Sequence, residues 1–152
     1  MIASFILPLL LQTASPAEDG MRHAFAAAEQ GGDPEWNCDD PQVQQEMNWC
    51  AGRDFEVADE RLNAQWKETA AVMKAQDAEF AAYGSERDTR EGFFESLLEA
   101  QRGWLRYRDA HCRVDGYTAR GGSLEPLLVS TCKARLTRTR TRELKELVEV
   151  PG

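Results

Sequence analysis

Residues 40–82 read DPQVQQEMNWCAGRDFEVADERLNAQWKETAAVMKAQDAEFAA, and the spacing of their apolar side chains decides the fold. Val43, Met47, Ala51, Phe55, Ala58, Leu62, Trp66, Met73 and Phe80 recur every three, four or seven residues. At 3.6 residues per turn that interval keeps them on one side of a helix. Asp40-Pro41 supplies an N-cap and a first-turn proline. Gly52 divides the run into a short leading helix ending near Cys50 and a long one from Arg53 to Ala82. Tyr83-Gly84-Ser85 ends it, and Ser85-Glu86-Arg87-Asp88 offers a capping-box restart.

Downstream, Phe94, Leu97, Leu98, Gln101, Trp104, Leu105, Arg108 and Cys112 line one side of a second helix that stops at Asp115-Gly116 and Gly121-Gly122. Ser123 can cap a third, which tolerates Pro126 in its first turn. Its apolar set is Leu124, Leu127, Leu128, Cys132, Leu136, Leu144 and Leu147. No segment alternates with period two, so the expected fold is all-α: an antiparallel helical hairpin with a third packed helix, stapled by two disulfides.

Upstream, Met1 to Leu11 is an apolar run too short to span a bilayer, and Ser15-Pro16-Ala17 puts small residues at −3 and −1 of a cleavage site. The expected organisation is therefore a signal peptide at 1–17, a flexible arm at 18–37 and a helical domain at 38–148, in a periplasmic or secreted protein without stable membrane insertion after cleavage. In such a compartment the four cysteines, spaced C-x11-C and C-x19-C, favour two disulfides over a zinc site. Of three connectivities the local one, Cys38 with Cys50 and Cys112 with Cys132, pins the residues after Cys38 to the first helix and joins helices two and three. The two crossed pairings stay sterically open.

A formal charge of −8 argues against non-specific nucleic-acid binding, because phosphate neutralisation needs a cationic surface. Charge is also divided along the chain, with +5 over residues 100–152 and −13 over residues 1–99. Two histidines in no ligand or nucleophile pattern, and no P-loop, G-x-G-x-x-G, G-x-S-x-G or H-E-x-x-H, point to a protein without catalytic residues, metal or cofactor.

Polar residues on faces that should be buried carry more information. Asp59, Asn63, Gln101, Arg108 and Asp109 form the expected structural network, because burial without partners is costly. A hairpin turning near residue 86 sets position 59 opposite about 113, one helical turn from Arg108, so Asp59 and Arg108 are expected to pair. Two groups are candidates for partner binding: Tyr117, Arg120 and Ser123 in the Gly116–Ser123 loop, and Arg138 and Arg140 on the third helix beside Arg135 and Arg142.

Cys38-x11-Cys50, Ala58-Asp59-x-x-Leu62-Asn63, Ala100-Gln101-Arg102-Gly103-Trp104-Leu105-Arg106-Tyr107-Arg108-Asp109-x-x-Cys112, Gly121-Gly122-Ser123, Cys132 and Thr137-x-x-Arg140-Thr141-x-x-Leu144 together resemble the LprI-like lysozyme-inhibitor N-terminal domain family. The resemblance covers about residues 38 to 147, and its most specific part runs from Gln101 to Cys112. It implies export, a helical fold and the local disulfide pairing. It also implies a non-enzymatic binding protein that inhibits lysozyme, with lysozyme or another cationic envelope protein as partner, towards which an acidic chain is steered. The alternative expectation is an envelope-associated module that binds peptidoglycan or another anionic polymer through the arginine-rich third helix.

Overall fold

The computed structural model describes residues 34, 36–83 and 88–149. The expected signal peptide, all but a few residues of the arm, and Ser85 of the expected helix restart lie outside the described residues. Three helices carry the rest: α1, Gln44–Ala82; α2, Phe93–Gly116; and α3, Glu125–Glu149, with a single 3-10 turn, Tyr117–Ala119, after α2. No strand occurs among the described residues.

Helix α1 runs unbroken for 39 residues through Gly52, where a break was expected. Glycine inside a helix costs only about 1 kcal/mol relative to alanine. The buried Ala51, Ala58 and Leu62 that flank it outweigh that, and a β-carbon at Gly52 would meet nothing within 4 Å. The helix also starts later than Asp40-Pro41 suggests. Val43, with φ −126° and ψ 154°, is the capping residue and offers no side-chain cap. Glu46, in the first turn, reaches back instead, accepting the backbone N–H groups of Gln42 (2.7 Å) and Asn37 (3.1 Å). A carboxylate there also faces the positive end of the helix dipole.

Helix α2 starts at Phe93 rather than near Ser85, and its cap comes from another helix. The Asp77 carboxylate on α1 accepts the N–H of Phe93 (2.6 Å) and of Phe94 (2.9 Å). Gly92 is required here, because a β-carbon would collide with that carboxylate. Ser123 does not begin α3, which starts at Glu125; its carbonyl accepts instead from the Asn48 side-chain amide, at 2.9 Å.

Contacts fix the directions of the three helices. Asn48 meets Ser123 and Thr69 donates to the Leu144 carbonyl at 2.9 Å, so α1 and α3 run parallel at a constant offset of 75 residues. Asp77 at the head of α2 and Asp59 beside Arg108 set α2 antiparallel to α1. The helices bury Leu62, Ala70, Met73, Leu97 and Leu144, with Trp66, Phe94, Trp104 and Val148 packed around them. Phe80, the last member of the expected stripe, stays 46% exposed because α1 outruns its partners there.

Both disulfides are local: Cys38–Cys50 and Cys112–Cys132, with Cα atoms 5.5 and 5.4 Å apart. The second ties α2 to α3 and is almost wholly buried. One turn beyond Cys112, Gly116 lets the helices approach so closely that a β-carbon would overlap the Val129 side chain.

Two glycines of α2 should therefore respond oppositely to the same substitution. Gly116→Ala forces Val129 and the local backbone apart and should lower stability by about 1–2 kcal/mol after the gain in helix propensity. Gly103→Ala meets open space and should raise it by about 0.5–1 kcal/mol. Paired thermal melts distinguish the two.

Candidate functional site

A buried guanidinium sits where the three helices meet. Arg108 projects from α2 with its side chain 9% exposed, and its Nη1 donates to Asp59 Oδ1 of α1 (2.8 Å) and to Thr137 Oγ1 of α3 (3.3 Å). Its Nε donates to Asp109 at 3.0 Å. Phe55 and Trp104 stack on the guanidinium, each with the ring centroid 5.2 Å from its central carbon. Such a plane takes a carboxylate along its edge and an aromatic ring on its face at once, which an ammonium cannot. Asn63 donates to the other Asp59 oxygen (3.1 Å), and Lys133 lies 3.7 Å from Asp109 and 5.5 Å from the Phe55 ring centroid.

Gln101 stands apart from that cluster. Its Oε1 accepts from Arg140 Nε at 3.0 Å, and Arg140 also donates to Glu143. Of the expected network the structure thus brings together Asp59, Asn63, Arg108 and Asp109, and places Gln101 in a second centre between α2 and α3. No buried side-chain nitrogen or oxygen among the described residues lacks a hydrogen-bond partner.

The expected partner-binding residues divide in the same way. Arg140 has a side chain only 12% exposed and is engaged internally; Arg138 pairs with Asp54 of α1. Neither presents a free cation. Tyr117 and Arg120, in contrast, are exposed at the turn between α2 and α3, the Arg120 guanidinium carbon 4.6 Å from the Tyr117 ring centroid. Ser123 is exposed beside them. Trp36 and Trp49 meet edge to face, centroids 5.7 Å apart, next to the Cys38–Cys50 bridge.

At the other end of the bundle, a cavity of about 910 Å³ is lined by Met73, Phe80, Phe93, Leu97 and Leu147, with Asp77 and Arg140 among its polar groups. On its rim Arg90 donates to Asp88 through Nη2 at 2.6 Å and holds that carboxyl at about 2, below its ordinary 3.8. This exposed pair adds stability above the ordinary value and loses it as the pH falls towards about 2.

Residue reading alone missed Phe55, Trp104 and Thr137 as members of the Arg108 centre, and missed Asp77 as a cap. The aromatics were assigned to the core by their helical spacing, and Thr137 gives no signal of its own. Asp77 caps a helix that begins 16 residues later, a pairing that only the folded chain defines. Among the described residues, no group of three or more His, Cys, Asp or Glu side chains is placed to hold a metal. No described helix is long and apolar enough to cross a membrane.

Comparison with known proteins places this geometry. The sequence model of the family described as lysozyme inhibitor LprI matches residues 38–144. An uncharacterised protein of Rhizobium meliloti (strain 1021) is 46% identical over 120 residues, covering 76% of this chain and 81% of that protein. No solved structure matches.

Removing the guanidinium tests the joint. Arg108→Ala strips the stacking from Phe55 and Trp104 and leaves Thr137 buried with one partner fewer, so stability should fall by about 3 kcal/mol. Arg108→Lys keeps the charge but not the fork and should fall between the two in a denaturant titration.

Proposed function

Because the chain belongs to the lysozyme inhibitor LprI family, we propose that it is a non-enzymatic binding protein of the periplasm or secreted space that inhibits lysozyme by occluding the substrate cleft. The observation that carries this reading is the family match, which spans both disulfides, the Arg108 centre and the turn between α2 and α3. Its physics supports it: an acidic chain is drawn to a cationic enzyme over distances beyond contact, and a doubly bridged scaffold loses little freedom on docking. Oxidised cysteines accord with the same compartment. The proposed organisation is a cleaved signal peptide at 1–17, an arm at 18–37 and the binding domain at 38–148.

The polymer-binding alternative has less support. It needs a cationic face on α3, and Arg138 and Arg140 spend their charges on Asp54 and Glu143. Arg135 and Arg142 remain exposed on that helix.

Stoichiometric protein should slow the clearing of a cell-wall suspension by lysozymes of the c, g or i type at micromolar concentration. Unchanged lysis rates with all three would remove the inhibitor reading. Salt-sensitive retention on purified cell walls, lost in an Arg135/Arg142 double substitution, would install the alternative.

A further inference from the structure

The turn that follows α2 is held rigid and yet left exposed. The Thr118 hydroxyl donates to the Asp115 carbonyl (2.9 Å), the Arg120 N–H to Tyr117 (3.2 Å) and the Gly122 N–H to Ala119 (2.9 Å). Gly121, at φ +75°, occupies the left-handed region open to glycine, which turns its N–H onto the Glu125 carboxylate at 2.7 Å. Asn48 of α1 holds the Ser123 carbonyl, and the Cys112–Cys132 bridge closes the segment from behind. These bonds fix the path of the turn, and Tyr117 and Arg120 stand exposed on it.

Arg120 differs from the other arginines in position and in pairing. Arg53, Arg90, Arg108, Arg138 and Arg140 each bind a carboxylate of this chain, whereas among the described residues no carboxylate pairs with Arg120. Among the described residues, the other arginines without such a partner lie on helix faces, whose broad convex surface cannot enter a narrow cleft. Stacking on Tyr117 restricts the Arg120 side chain before any partner arrives, so less rotamer freedom is lost on binding. Tyrosine and arginine are also the side chains that most often dominate binding energy at protein interfaces.

Lysozyme cleaves its substrate between two carboxyl groups, so a cleft built for that chemistry is locally anionic even in an enzyme that is cationic overall. Resting on the inhibitor reading above, we propose that Arg120, braced by Tyr117, is the side chain that enters this cleft and pairs with a catalytic carboxylate. Two ranges of electrostatics then operate. The net charge of −8 steers the whole molecule towards the enzyme, and one exposed cation at the rigid turn addresses the carboxylate that the enzyme itself exposes. The bond would be a charge-assisted, two-pronged one of the kind that arginine makes with carboxylates.

The test is inhibition of c-, g- and i-type lysozymes on a cell-wall suspension by the full chain and three variants. Arg120→Glu should weaken inhibition by about 30-fold or more and Arg120→Gln by about 10-fold. Arg61→Glu, an exposed substitution on α1, should change it less than about 3-fold. Melting temperatures should stay within about 2 °C of the parent, because none of these side chains is buried. Inhibition by the parent should weaken as soluble cell-wall oligosaccharide is added, since both occupy the cleft. A parent that inhibits while Arg120→Glu matches it overturns the assignment of Arg120 and leaves the inhibitor reading standing. A parent inactive against all three enzymes overturns both.

Discussion

One guanidinium is shared by all three helices, and the rest of the arrangement depends on satisfying it. Arg108 leaves α2, pairs with Asp59 of α1 and donates to Thr137 of α3, while Phe55 and Trp104 cover its faces. A buried cation is costly unless its donors are used, and the observed helix positions bring these partners within hydrogen-bond distance. Two direct bonds between α1 and α3, Asn48 to the Ser123 carbonyl and Thr69 to the Leu144 carbonyl, share one offset of 75 residues, and the Arg108 centre lies between them. Hydrophobic burial supplies most of the driving force, and the polar centre adds directional contacts among the three helices.

Much of this was legible in the sequence, for physical reasons. Helical periodicity reports directly on burial, which is why α2 and α3 were readable to within a few residues at their C-terminal ends and α1 as far as Ala82. The Arg108–Asp59 contact followed from polar residues on apolar faces combined with a hairpin turn. Helix starts were less legible. Glycine and proline weigh little against tertiary packing, so Gly52 lies within a continuous helix and Asp40-Pro41 precedes one. Asp77 caps α2 across space, and no local pattern encodes that.

The exposed arginines show why composition alone misreads surfaces. A run of Arg135, Arg138, Arg140 and Arg142 looks like a cationic face, yet helix geometry sends Arg140 inward to Gln101 and Glu143 and sets Arg138 against Asp54. Arg120, at the turn after α2 and without a carboxylate partner among the described residues, is the better presented charge. Rigid side chains at a loop crest and a scaffold fixed by two bridges divide the labour of recognition: the scaffold bears the ordering cost during folding, so little is left at the moment of contact.

The parallel course of α1 and α3 has a consequence for the order in which the chain can fold. Their contacts join residues 75 positions apart, and Leu144 of α3, fully buried, fills the space beside Leu62 and Thr69. Helices α1 and α2, close in sequence, can pair first, but that space stays open until α3 docks. Completion of the core therefore waits on the contacts of greatest sequence separation, and a chain in which α3 is undocked keeps an unfilled interior beside α1.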